Sequence, residues 1–198
     1  EAKPMEQARK TRRWDFDMMQ QYLRHRFLFE ELVKRDFKKK YKRTVLGMAW
    51  SLLSPLLMLL VMKLVFTQFF GRTMEHYTIY LFCGNLVFSY FNESTSQGMT
   101  SLVNNAAIFT KVNIPKYLFL FSKNVQTLIN FSLTLCIFFV FCGLDHILFT
   151  WKFLLLLYPV CLLVLFNIGV GLILSALYVF FRDIQYLWGI FTQILLYA

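Results

Sequence analysis

One step in charge constrains this chain more than any other feature. Within KRDFKKKYKRTVLGMAWSLLSPLLMLL, Lys34 to Leu60, a basic cluster stops at Arg43 and no charged residue follows until Lys63. A helix needs about 20 apolar residues to cross the hydrocarbon core of a bilayer. Val45–Met62 supplies nearly all of them without a charge. Lys and Arg packed against the start of a span stay on the cytosolic side, so the N-terminus is expected in the cytosol.

Composition agrees with a membrane class. Hydrophobic residues make up 58% of the 198, aromatic residues 19% and charged residues only 16%, with a mean hydropathy of +0.52. A soluble domain of this size needs more polar surface. The net charge of +10 is uneven: residues 1–43 hold 14 Lys and Arg against 7 Asp and Glu. Concentrated beside an apolar run, such charge fits anionic lipid or an acidic partner surface, and nucleic acid is not expected. The first apolar run begins too late and runs too long to read as a secretory signal. Cys83, Cys136, Cys142 and Cys161 lie in apolar surroundings without metal-site spacing and read as small hydrophobes.

Residues 1–14 form a polar, basic tail. From Asp15 to Arg43 a helical period appears, with Phe29, Val33, Phe37 and Tyr41 every four residues and Leu28 and Leu32 beside them. Lys34, Arg35, Lys38, Lys39, Lys42 and Arg43 supply the basic face and collar. This pattern predicts an amphipathic helix in the headgroup plane; the same pattern also suits a helix packed on a cytosolic partner.

Residues 44–198 read as a transmembrane domain. Span one covers 44–70, with Pro55 inside it and Lys63 far enough along to snorkel outward. Span two, 77–99, is weak because Asn85 and the NESTSQ run lie within it. Lys111, Lys116 and Lys123 fall where no acid occurs between Ser94 and Leu144, which places residues 100–123 on the cytosolic side and makes span two cross. Its polar half is expected against protein or water. Span three covers 117–142 and span four 151–178. In span four Asn167, Gly171 and Ser175 recur every four residues, a small-residue face for close helix approach. A fifth apolar run, 187–198, is too short to cross. The expectation is an all-α polytopic bundle with at least four full spans and the start of a fifth, a piece of a longer protein.

Catalytic chemistry is not expected. No HExxH, CxxC or GxxxxGK[ST] pattern occurs, so neither a metal site nor a phosphate loop is read in this chain. Transport or scaffolding remains.

Four local patterns, in order, resemble a known family. They are RDFKKKYKRTVLGMAW running into SLLSPLLMLL; GNLVFSYF (Gly84–Phe91); NAAIFTKVNIP (Asn105–Pro115); and FFRDI (Phe180–Ile184). Together they look like the membrane subunit of type-2 ABC exporters that move lipid-linked polysaccharides: O-antigen, capsule and teichoic-acid permeases. The chain departs in having Val87 and Phe88 where Pro-Trp is frequent in the family. Members have six spans and outer re-entrant helices before the last, which this chain does not reach.

The resemblance implies a transport subunit in the cytoplasmic membrane, homodimeric, with two copies of a separate ATPase that holds ATP and Mg. Asn105, Lys111 and Pro115 become candidates for a coupling helix that contacts the ATPase, with Asn105 as its cap. Arg182 and Asp183 suit either a local ion pair or an ATPase contact. Trp50, Phe88, Tyr90 and Phe91 are candidates to line a glycan path, because aromatic faces stack on sugar rings. The basic collar suits either a polyprenyl pyrophosphate or anionic lipid. The alternatives are a type-2 exporter of small hydrophobic molecules or drugs, and a non-transporting scaffold or transferase subunit.

Overall fold

The computed structural model describes residues 26–40, 46–70, 76–109, 115–145, 147 and 151–197, and among them every regular element is helical. The first helix, α1, covers residues 26–40. A single 3₁₀ turn, Gly47–Ala49, leads into α2, Trp50–Phe70, which carries Pro55 inside it. Gly47 has φ +52, a left-handed conformation that side chains with a Cβ resist. The Leu-Gly step in the sequence is therefore a left-handed turn of the backbone just before the first span.

Helix α3, Tyr77–Asn104, runs without interruption through the NESTSQ stretch. A turn at Asn105 starts α4, Ala106–Phe109, and Pro115 precedes α5, Tyr117–Leu144. A 3₁₀ segment, Trp151–Leu156, opens α6, Leu157–Phe180; a turn through Arg182 and Asp183 leads to α7, Ile184–Tyr197. Among the described residues, Tyr117–Leu144 and Phe153–Phe180 are long and apolar enough to cross a membrane, and Leu53–Val65 is a shorter apolar stretch. The four-span count read from the sequence is finer than that.

Helix α3 sits at the centre and touches α2, α4, α5, α6 and α7. Its apolar half joins a core of Leu59, Phe82, Leu86, Tyr90, Phe131, Phe138 and Cys142. Its polar half is absorbed by neighbours: Ser94, Thr95, Gly98 and Ser101 are buried. The Thr95 and Ser101 hydroxyls donate to carbonyls one turn back, at Phe91 and Gly98, which satisfies them inside an apolar environment.

Helix α6 buries Asn167, Gly171, Leu174 and Ser175, the small-residue face expected from the sequence plus one leucine. A Cβ on Gly98 would meet the Gly171 Cα at 3.3 Å, so backbone lies against backbone where α3 and α6 cross. Lipid tails are as apolar as Leu, so such contact, rather than burial from water, holds the pair. Much of the remaining apolar surface of α6 and α7, including Leu165, Phe166, Ile173, Ile190 and Ile194, stays exposed.

Candidate functional site

The most constrained chemistry lies where α1 meets the bundle. Leu32 and Phe119 are buried together with Leu28, Ile108 and Leu118 around them. Four residues beyond Leu32 on the same face is Asp36, only 2% exposed. Its Oδ1 accepts from Arg35 Nη2 at 2.7 Å, and its Oδ2 pairs with Lys123 Nζ of α5 at 3.1 Å. Gln126 donates to the Asp36 backbone carbonyl at 3.3 Å. A buried carboxylate without such partners would cost several kcal/mol; two cations hold this one, and the Gln126 bond fixes the backbone beside it.

Arg35 reaches further. Its Nη2 also donates to Asn105 Oδ1 at 2.8 Å, and Asn105 Nδ2 donates to the Ser101 carbonyl at 2.7 Å. One continuous set of polar contacts thus joins α1, the α3–α4 turn and the start of α5. Asn105 does begin α4, and its backbone carbonyl accepts from Ile108. Its side-chain oxygen, however, is engaged by Arg35 instead of capping the first turn. The guanidinium offers a charged donor, roughly twice as strong as a neutral amide, which explains the departure from the expected cap.

A second bridge lies alongside. Lys40 Nζ pairs with Glu93 Oε1 at 2.5 Å, and Gln97 Nε2 donates to the same oxygen at 2.8 Å. Beside this pair a cavity of about 520 Å³ opens between α2, α3 and α5. Trp50 and Tyr90 line it, with Ser51, Ser54, Asn85 and Ser89. A separate groove of about 480 Å³ runs between α3 and α7, past Phe88, Asn92, Ser96, Gln185 and Gln193.

The four aromatic candidates therefore divide. Trp50 and Tyr90 share the first cavity, and Tyr90 packs against Phe131 with tilted rings and centroids 4.5 Å apart. Phe88 lines the α3–α7 groove. Phe91 is buried between Phe166 of α6 and Trp188 of α7 at 6.1 and 6.0 Å, and the Trp188 indole donates to Thr95 at 3.2 Å. Of the basic collar, Lys34 is exposed beside Glu31, Lys38 and Lys39 are exposed, and Arg35 turns inward as described. Lys42, Arg43 and Lys111 lie outside the described residues. Pro115 is half-buried, and its carbonyl accepts from Leu118 at 3.2 Å. Arg182 and Asp183 are exposed in the α6–α7 turn; their backbone carbonyls accept from Gln185 and Tyr186, and among the described residues they form no ion pair with each other.

Sequence reasoning missed Asp36, Lys123, Gln126, Lys40 and Glu93 as members of one site. A signal existed for two of them. Asp36 is the only acid among seven basic residues from Lys34 to Arg43, and Glu93 is the only acid from Tyr77 to Leu144. A second polar knot sits deeper. Ser94 donates to Asn124 at 2.6 Å, while Asn167 is fully buried with neither carboxamide atom hydrogen-bonded. The Tyr90 hydroxyl faces Asn167 and Ser94 without reaching hydrogen-bond geometry. Among the described residues no group of acid, His or Cys side chains is placed to hold a metal.

Long apolar helices, polar contacts at helix crossings and a basic, ion-paired end define a helical membrane-embedded protein. Residues 28–198 match the ABC-2 type transporter family, and the chain belongs to it, a family of transport subunits. The chain is 30% identical over 173 residues to a Myxococcus xanthus protein called O-antigen export system permease protein RfbA, covering 86% of this chain and 65% of that relative. A Klebsiella pneumoniae protein of the same name is 29% identical over 165 residues, covering 80% and 63%. A second from Klebsiella pneumoniae is 27% identical over 168 residues. The chain thus spans just under two thirds of the length of these curated relatives.

Proposed function

We propose that this chain belongs to the transmembrane subunit of an ATP-driven exporter of lipid-linked polysaccharide in the cytoplasmic membrane. The similarity across 86% of its length to a permease named for O-antigen export carries the reading. At least four spans cross, the N-terminus and the α3–α5 connection face the cytosol, and two copies pair around a conduit. Two separate ATPase subunits hold ATP and Mg.

The polar contacts at α1 suit a coupling role. A push on α4 or Asn105 passes through Arg35 to Asp36, and from there to Lys123 on α5. Rigid elements linked by charged contacts move as a lever. Lys111 and Pro115 extend the same cytosolic segment, and Arg182 and Asp183 offer a second exposed contact for the ATPase. The exposed lysines of α1 hold anionic lipid or the carrier pyrophosphate.

Deletion of the gene tests this reading. Surface polysaccharide should disappear while its lipid-linked form accumulates inside, and plasmid-borne protein should restore export. A deletion strain with normal surface polysaccharide and new drug sensitivity would overturn it in favour of small-molecule export.

A further inference from the structure

The cavity between α2, α3 and α5 has no assigned occupant. Its volume of about 520 Å³ is in the range of small-ligand sites. Three properties narrow what it takes. Its two ionised groups, Lys40 and Glu93, neutralise each other, so it offers no surplus charge to a phosphate; the exposed Lys38 and Lys39 are not among its walls. Hydroxyls and carboxamides from three helices converge on it, including Ser54, Asn85 and Ser89, although polar groups within membrane helices are costly unless they serve a site or a contact. Aromatic surface is also present: Trp50 is 39% exposed, and Tyr90 and Phe131, packed against each other with tilted rings, lie in the wall.

Neutral overall, rich in paired donors and acceptors, and walled by aromatic faces: this is chemistry for a sugar ring, whose C–H faces stack on aromatics and whose hydroxyls both donate and accept. A phospholipid tail would offer no partners to Ser54, Asn85 and Ser89. We propose that this cavity within a single protomer binds a neutral sugar unit of the exported glycan. Trp50 is the stacking face, and the Lys40–Glu93 pair bonds ring hydroxyls. Lys40 lies on the basic helix, so the bound sugar sits at the headgroup level, next to where a carrier pyrophosphate meets Lys38 and Lys39. This inference rests on the polysaccharide reading above and adds the place and the chemical class of the first contact.

The test is protection of a cysteine placed in the cavity. Ser89 is exposed to it, so Ser89→Cys in the full-length protein with its ATPase, in nanodiscs, is labelled with a maleimide. Three probes are compared: lipid-linked glycan extracted from the producing cells, the same glycan released by mild acid, and undecaprenyl phosphate alone. Both glycan forms should slow labelling and the carrier lipid should not. Trp50→Ala should raise the glycan concentration needed for half-protection about tenfold, the value of one aromatic face, with Trp50→Phe close to wild type. Glu93→Gln, which keeps shape but loses the acceptor charge, should weaken protection as well. Equal protection by undecaprenyl phosphate would overturn the proposal in favour of a lipid site. No protection by either glycan would also overturn it. If the deletion strain loses surface glycan yet Ser89→Cys is never protected, only the cavity assignment fails. If surface glycan persists in that strain, the polysaccharide reading fails first.

Discussion

Asp36 offers the sharpest perturbation. Its carboxylate is 2% exposed and lies 2.7 Å from Arg35 and 3.1 Å from Lys123. At 3.1 Å the attraction to Lys123 is about 5 kcal/mol gross for an effective dielectric of 20. Much of that offsets the desolvation of the two charges. Removing one partner is different, because Lys123, with a side chain only 17% exposed, is left as a cation facing Arg35. Breaking a buried pair in this way costs about 3–5 kcal/mol. Asp36→Ala should therefore lower stability by roughly that amount, and Asp36→Asn by about half as much, since it keeps the shape and one acceptor. The double variant Asp36→Asn/Lys123→Met should lose less than the sum of its parts, with a coupling on the order of 1–3 kcal/mol. Thermal and denaturant unfolding of the purified protein in detergent would read these differences. An Asp36→Ala protein within about 0.5 kcal/mol of wild type, or strictly additive double variants, would refute the claim that this carboxylate fastens α1 to α5.

Other substitutions follow from particular contacts. Gly98→Ala places a Cβ 3.3 Å from the Gly171 backbone, whereas Gly171→Ala meets only the flexible Leu120 side chain at 3.6 Å and the Gly98 Cα at 3.8 Å; thermal shift should show Gly98→Ala worse by about 1–2 kcal/mol. Asn167→Leu removes a buried carboxamide with no hydrogen bond and should leave stability equal or raise it by about 1 kcal/mol; a large loss on denaturation would show that the carboxamide has a partner in the folded protein. Gly47→Ala forces a Cβ into φ +52 and should cost about 1–2 kcal/mol, read by the same unfolding assays, while Leu46→Ala on the exposed neighbour should cost far less.

Much of the helical layout was legible because apolar runs and turn residues are local signals. Helix ends at Phe70, Tyr77 and Tyr117 fall at the edges of apolar runs, whereas α3 runs on to Asn104 through the NESTSQ stretch, which carries no apolar signal. The α6 face was legible for the same reason: Asn167, Gly171 and Ser175 are spaced by one turn, and that spacing needs no knowledge of the partner helix. The partner, Gly98, carried no such repeat. On α1 the expected stripe of Phe29, Val33 and Phe37 is only half-buried, while Leu32 and Asp36 are fully buried. A period finder scores Asp36 as polar surface; its real environment depends on Lys123, a partner distant in sequence that local patterning does not see. The aromatic run 88–91 splits for a geometric reason. At 100° per residue, Phe88 and Tyr90 point to opposite sides of a helix, so no single path can be lined by both. Trp50, on another helix, meets Tyr90 only through tertiary packing.

Reconstitution is the most direct measurement of whether these helices move glycan with energy from another polypeptide. The full-length permease and its ATPase would be placed in inside-out proteoliposomes loaded with extracted lipid-linked polysaccharide. ATP-dependent transfer of glycan into the lumen, shown by resistance to added glycosidase and lost when either subunit is omitted, is the predicted result. Transfer at the same rate without ATP, or by the permease alone, would contradict it.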